Sequence, residues 1–160
     1  MTRFTPLLRA ELEDLYAEYA ERLDDGPLET WPELFMEDCE YLVVPRDNYE
    51  RGLPIAVMRC ESRNMLKDRV RAVQETVLFE PRYLRHHVTN LRGGVRDDDT
   101  IEVRASFSVV EVLPDELPRV LMCGRYVDEV IRSREGALRF LAKHCVFDSV
   151  LVPNTIVVPV

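Results

Sequence analysis

Residues 101–112 read IEVRASFSVVEV, and this stretch decides the fold class. Apolar and polar side chains alternate from residue 101 to residue 109, which predicts a half-buried antiparallel strand. The apolar phase then shifts by one position to Val110 and Val112. Because one extra residue reverses the two faces of a strand, we predict a β-bulge or a strong bend at Val109-Val110. The alternating apolar positions are Ile101, Val103, Ala105, Phe107 and Val109.

On the carboxyl-terminal side of this stretch, the same alternation predicts an antiparallel sheet. Strand-like alternation also extends to the preceding residues, because the period of two begins at Tyr83. Proline-rich and Ser/Gly-containing turns separate the segments. The further predicted strands are Val120–Arg132, Leu138–Asp148 and Thr155–Val158.

On the amino-terminal side, helical spacing replaces the alternation. An apolar stripe from Leu8 to Leu23 predicts a helix, which Thr5-Pro6 begins and Asp24-Asp25-Gly26-Pro27 ends. The later predicted elements are a helical turn over Leu28–Met36 anchored by Trp31 and Phe35, a strand over Glu40–Val44, a polar loop through Gly52, a strand over Ile55–Glu61, and a helix from Ser62 to about Val77.

This order of elements predicts an α+β fold in which N-terminal helices pack on a strongly curved, mainly antiparallel sheet. The chain of 160 residues is long enough to bury a core without disulfides or a structural metal, so we expect a single domain over 1–160. A curled sheet has a concave face, which is either a pocket or a packed core.

Composition excludes several classes of partner. The chain has 21 Lys+Arg against 29 Asp+Glu, a formal charge of −8, and no basic cluster, so we expect neither nucleic acid nor a membrane surface as a partner. No apolar run approaches the roughly 20 residues that span a bilayer, and no secretory signal can be read, so we expect a cytoplasmic protein. The scattered cysteines predict free thiols: Cys39, Cys60, Cys123 and Cys145.

The sequence offers little catalytic chemistry. Of its three histidines, His86 and His87 are neighbours that point to opposite faces of a strand, so they cannot readily bind one metal ion. No spacing fits an iron site or a Rieske cluster, and we expect no metal in this chain. Unbroken alternation over the predicted strand Leu138–Asp148 places His144 on one face with Phe140 and Asp148, where it is either satisfied in the core or part of an acid/base pocket. Its candidate residues are Tyr41, Tyr126, Asp128, His144 and Asp148.

Several local strings follow one another in a distinctive order along the chain. They are the helix leading to Trp31, DCEYLV at 38–43, SRNMLKDRV at 62–70, RHHVTN at 85–90, GRYVD at 124–128, and Asp148-Ser149. None of these strings is a catalytic signature, but their joint order resembles the small (beta) subunit of the aromatic-ring-hydroxylating dioxygenases over nearly the whole chain.

The resemblance implies a cone-shaped roll of the nuclear-transport-factor and ketosteroid-isomerase kind. It also implies that a separate large (alpha) subunit carries a Rieske 2Fe-2S cluster and a mononuclear iron, while this chain has no catalytic residue. The assembly would add both atoms of O₂ to an aromatic ring and give a cis-dihydrodiol. Three copies of each subunit would form a hexamer in which the small subunits contact one another as a trimer.

At residues 82–86 the chain departs from its relatives, because Tyr83-Leu84 replaces small polar residues. Cationic and aromatic side chains are enriched at interfaces, so these residues form either an intersubunit contact or a ladder of charges on the surface. The candidate interface residues are Arg82, Tyr83, Arg85 and His86.

Two alternatives share the roll fold. One is a stand-alone isomerase, dehydratase or cyclase with an acid/base pocket, and the other is a binding module without catalysis. A cone already filled by side chains would argue against the enzyme. The side chains expected to fill it are Trp31, Phe107, Tyr126 and Phe140.

Overall fold

A computed structural model describes residues 1–76, 81–149 and 159–160. A 3₁₀-helix over Leu28–Leu34 lies between α1 and β2. The other elements are β1 Thr2–Arg3, α1 Pro6–Asp24, β2 Phe35–Pro45, α2 Arg46–Glu50, β3 Met58–Cys60, α3 Arg63–Thr76, β4 Tyr83–Val95, β5 Ile101–Val112, β6 Arg119–Arg132 and β7 Leu138–Phe147.

The strands of the described residues form a seven-stranded sheet in the order β1-β4-β5-β6-β7-β2-β3. Only the contact between β2 and β7 is parallel, and the other neighbours are antiparallel. One face of the sheet, the inner face, packs against α1 and the 3₁₀-helix, and the opposite face is the outer face. The predicted α+β fold with helices on a mainly antiparallel sheet is therefore confirmed. Within the described residues, no helix combines the length and the apolar character needed to cross a membrane.

The two long helices begin where the sequence predicts. The Thr5 hydroxyl accepts a hydrogen bond from the Leu8 amide at 3.1 Å, and the Ser62 hydroxyl accepts one from the Met65 amide at 3.3 Å. Such caps satisfy amides that have no partner within the helix. The predicted stripe of α1 faces the core, with these members buried: Leu12, Leu15, Tyr16, Tyr19 and Leu23.

Between α1 and α3 the predicted boundaries are partly wrong. Strand β2 begins at Phe35, inside the predicted helical turn, because Phe35 pairs with Phe140 of β7. The predicted polar loop after Pro45 contains the short helix α2. The predicted strand Ile55–Glu61 shrinks to Met58–Cys60, and Ile55 is exposed.

An irregularity lies at Val109-Val110, as predicted, but it leaves the faces of β5 unchanged. The register shift with β6 occurs there, between the pairs Val109–Met122 and Val110–Val120, so the extra residue is Leu121 in β6. Strand β5 keeps its alternation. Glu111 therefore faces inward and is 1% exposed, while Val110 is only half-buried.

A second register shift in β7 overturns the predicted face of His144. Val130 pairs with Phe140 and Glu129 pairs with Ala142, so Leu141 is the extra residue. Phe140 stays in the core, but beyond the shift it is Lys143 that is buried there, whereas His144 turns to the outer face. The predicted strand Thr155–Val158 lies outside the described residues.

Candidate functional site

The concave side of the sheet is packed with aromatic rings where a ligand pocket would otherwise lie. Trp31, Tyr126 and Phe140 are 0% exposed, and Phe107 is 3% exposed. Phe107 stacks on Tyr126 with ring centroids 4.4 Å apart, and the Phe35 ring lies 5.1 Å from Trp31 and 5.3 Å from Phe140. These rings form a continuous core, so the cone is filled at the positions that the sequence assigns to it.

A buried ion pair lies within this aromatic core. Lys143 Nζ donates to Asp128 Oδ2 at 3.0 Å, and both side chains are 0% exposed. The Tyr16 hydroxyl donates to the same Asp128 oxygen, and the His144 amide donates to Asp128 Oδ1 at 3.2 Å. The carboxylate therefore has three donors, all from the protein.

The ammonium group of Lys143 is surrounded by rings as well as by the carboxylate. Its Nζ lies 3.4 Å from the centre of the Tyr126 ring and 4.3 Å from that of Tyr19. Such contacts between a cation and a ring face are attractive when both are desolvated. Burial raises the pKa of Asp128, although Lys143 and Tyr16 oppose the shift. Burial, together with the Asp128 charge, also raises the pKa of Tyr16.

A second polar cluster surrounds Val160 in the core. The Tyr41 hydroxyl donates to the Val160 carbonyl oxygen at 2.9 Å and accepts from its amide at 2.9 Å. The Tyr19 hydroxyl donates to the same oxygen at 2.6 Å. Burial raises the pKa of Tyr41 well above its ordinary value, so its hydroxyl stays protonated. The main chain at Val160 thus uses the hydroxyl that the sequence assigned to an acid/base pocket.

The five candidate pocket residues do not form one pocket. Tyr41, Tyr126 and Asp128 are buried in the core. His144 lies on the outer face, where its Nε2 is 2.7 Å from Glu40 Oε2. Asp148 is exposed and forms an ion pair with Arg46 at 3.1 Å. The sequence grouped them on the assumption of an unbroken alternation in β7, which the extra residue invalidates.

Comparisons with known proteins agree with this geometry. The family model described as "Ring hydroxylating beta subunit" matches residues 18–154. The chain belongs to the ring-hydroxylating beta-subunit family. It is 33% identical to the small subunit of anthranilate 1,2-dioxygenase from Burkholderia cepacia, over 94% of this chain and 92% of that protein. It is 30% identical to a beta subunit of the terminal oxygenase of terephthalate 1,2-dioxygenase from Comamonas sp, over 89% of this chain and 92% of that protein.

A solved structure extends the agreement to three dimensions. A beta subunit from Novosphingobium aromaticivorans, assigned to an aromatic-ring-hydroxylating dioxygenase, superposes with a TM-score of 0.86 and 33% identity. The match covers 96% of this chain and 97% of that one. The protein is therefore a dioxygenase small subunit with the roll fold, as the sequence resemblance predicted.

The described residues of this beta subunit do not fit a metal centre. Across residues 1–76, 81–149 and 159–160, no group of three His, Cys, Asp or Glu side chains lies close enough to hold a metal ion. His86 Nδ1 is 2.6 Å from Asp24 Oδ1, and His144 is held by Glu40, so both rings serve the fold. Burial raises the pKa of Cys145 to about 12, which keeps this thiol protonated. Neither a cluster nor an iron site can be built from these groups.

The candidate interface residues of this beta subunit lie on two faces of β4. Tyr83 is 66% exposed on the outer face, and Arg85 is also exposed, although its guanidinium forms an ion pair with Asp25 at 3.0 Å. The His86 side chain points inward and is fully buried beside Asp24. Arg82 binds the buried carboxylate of Glu111 at 2.8 Å. Tyr83 and Arg85 form a surface, while Arg82 and His86 attach β4 to the core.

Sequence reasoning missed the buried charges, although one signal was present. Glu111 interrupts an apolar run, and Arg82 and Arg119 both bind it, the latter at 2.8 Å. A lone charge in such a run is evidence for a buried ion pair. Lys143 gave no comparable signal, because only the register shift in β7 turns it inward.

Proposed function

We propose that this beta subunit supports the assembly of an aromatic-ring-hydroxylating dioxygenase and performs no chemical step itself. The observation that carries the proposal is the filled core. The buried carboxylate of Asp128 accepts hydrogen bonds from Lys143 and Tyr16, and the aromatic rings of the core pack against each other. A catalytic acid or base needs access to a substrate, and a group without solvent exposure has none. The stand-alone isomerase is not favoured by this core.

In this proposal the chemistry belongs to the large subunit. That subunit holds the Rieske 2Fe-2S cluster and the mononuclear iron, and the complete enzyme adds both oxygen atoms of O₂ to an aromatic ring. Three large and three small subunits form a cytoplasmic hexamer, in which the small subunits also contact one another as a trimer. A ring with three-fold symmetry brings identical subunits together in this way.

The substrate class follows from the relatives. Two proteins that are at least 30% identical to this chain are named for anthranilate and terephthalate, and each of these is an aromatic carboxylate. We therefore expect the complete enzyme to act on an aromatic carboxylate. Assays of the purified complex with benzoate-like acids and with unsubstituted aromatic hydrocarbons test this expectation directly.

The outer face near the start of β4 is the proposed intersubunit surface. Tyr83 and Val120 are 66% and 62% exposed, and Arg85 pairs across β4 and β5 with Val110, which itself pairs with Val120. An exposed ring beside an aliphatic patch and an arginine has the composition of an interface centre. Arg82 and His86 fix this end of β4 from the inner side.

The test is the affinity of the small subunit for the rest of the complex. We expect the Y83A/R85A double variant to bind about tenfold more weakly or worse, because it removes an aromatic and a cationic contact. The matched control is I55A/R51A, which changes an exposed aliphatic residue and an exposed arginine elsewhere on the surface. Equal affinity of both variants, with unchanged unfolding curves, would remove this surface from the proposal.

A further inference from the structure

Two arginines stand directly opposite each other on the outer face of the sheet. Arg92 of β4 pairs in register with Arg104 of β5. Both side chains are exposed, and neither has an ion-pair or hydrogen-bond partner among the described residues. Like charges in this position destabilise a sheet. The two guanidinium groups therefore repel each other, and no ion pair within the described part of the chain offsets this repulsion.

The neighbouring row of the same face provides a contrast. Glu102 and Glu129 also stand opposite each other with like charge. Arg96 binds both of them, with its Nη2 atom 2.5 Å from Glu129. The sheet thus holds its paired carboxylates in ion pairs, whereas Arg104 shares a cleft with Glu102 and Glu129 but forms no ion pair with them.

The paired arginines belong to a larger cationic cleft, which we call the arginine cleft. Its volume is about 630 Å³, and Glu102 is the single carboxylate in its lining, although Arg96 already binds that group. This concentration of positive charge occurs on a chain with a net charge of −8. The lining of the arginine cleft consists of Met1, Arg3, Phe4, Arg9, Arg92, Gly93, Glu102 and Arg104.

We propose that the arginine cleft docks a carboxylate-bearing segment of the large subunit. This inference rests on the proposed function, which supplies that partner. Charge complementarity carries it, because guanidinium groups bind carboxylates through paired hydrogen bonds and Arg92 and Arg104 have such donors free. The Phe4 ring, against which the Arg9 guanidinium lies at 5.8 Å, gives the cleft an apolar wall for the aliphatic part of a glutamate or aspartate side chain.

The experiment measures assembly of the complete enzyme with charge-reversed small subunits. The test variant is R92E/R104E. The matched control is R51E/R134E, which makes the same change in net charge at two exposed arginines outside the cleft. We expect the test variant to bind the large subunit at least about tenfold more weakly, with a reduced dependence of the dissociation constant on salt. Binding equal to that of the control, with the same salt dependence, would overturn the inference.

A photo-crosslinking phenylalanine analogue at position 4, in the apolar wall of the cleft, identifies the occupant and leaves both arginines in place. A crosslink to the large subunit supports the inference. A crosslink to a second copy of the small subunit overturns it. If the unmodified small subunit fails to bind the large subunit, the proposed function itself fails. If it binds and R92E/R104E binds equally well, only the role of the cleft fails.

Discussion

Replacement of Lys143 by methionine tests how much stability is lost when the buried carboxylate of Asp128 loses its cationic partner. Methionine fills a similar volume but removes the ammonium group that faces Asp128 at 3.0 Å. The carboxylate then remains in the core with two donors, the Tyr16 hydroxyl and the His144 amide. Removing one partner of a buried ion pair typically costs about 3–5 kcal/mol of stability.

The structure allows an independent calculation of this magnitude. In the K143M variant, Asp128 can escape the cost of an unpaired charge by keeping a proton in the folded state. The unfolded chain loses that proton above the ordinary pKa of 3.8. Each pH unit between 3.8 and the measurement therefore costs at most about 1.4 kcal/mol, so we expect a penalty of no more than about 4 kcal/mol at pH 7 and about 2 kcal/mol at pH 5.

The sign of this pH dependence follows from the direction of the pKa shift. Burial raises the pKa of Asp128 in the folded state, so the folded state binds more protons than the unfolded state. The contribution of Asp128 to stability is then greatest at acidic pH and falls as pH rises above 3.8. Without Lys143, the folded state keeps the Asp128 proton over a wider pH range above 3.8. The K143M variant should therefore lose more stability between pH 5 and pH 7 than the unmodified protein.

Urea unfolding at pH 5 and pH 7 measures both quantities, and the D128N/K143M variant is the control. That double variant has no charge at either position and retains an amide oxygen for the Tyr16 hydroxyl. We expect it to be more stable than K143M at pH 7, with no added pH dependence from this site. The reasoning is refuted if the K143M penalty is equal at both pH values, or if the double variant is no more stable than K143M.

Three further changes test the packing and the thiols. Gly124→Ala places a Cβ 2.1 Å from a backbone oxygen of β7, so it should lower the free energy of unfolding in urea by more than about 2 kcal/mol. The control Gly52→Ala meets open space and should cost only roughly 1 kcal/mol, because its φ is positive. Glu111→Gln leaves two arginines without their buried carboxylate and should cost about 1.5–3 kcal/mol, seen as a lower Tm; an unchanged Tm would contradict the pairing. The exposed Cys123 should react with a thiol reagent in the native protein. Cys145, whose pKa is raised to about 12, should react only after unfolding. Any thiol that reacts rapidly in the native C123S variant would contradict this prediction.

The elements with regular periodicity could be predicted from the sequence. The stripe of α1, the caps at Thr5 and Ser62, and the alternation of β5 all appear in the structure where the sequence predicts them. These features depend on neighbours within one element. The family resemblance predicted the roll fold and the identity of the chain as a small subunit. It could do so because it depends on the order of several strings along the sequence.

The candidate pocket could not be predicted, because its residues depend on register shifts between strands. The extra residue Leu141 sends His144 outward and Lys143 inward, and no local pattern in β7 records this. Likewise, the extra residue Leu121 lies in β6 while the sequence signal lay in β5, so Glu111 rather than Val110 faces the core. A bulge is a property of two paired strands, and one strand alone does not specify which of them carries it.

The most direct test of the central claim is native mass spectrometry with metal analysis on this chain purified with its natural partner under mild conditions. The proposed function predicts a complex of three copies of this chain with three of a larger chain. All of the iron should remain with the larger chain after the subunits are separated. A small subunit that purifies alone, without iron, and binds a small molecule saturably in its core would contradict the claim and favour a stand-alone enzyme of the same fold.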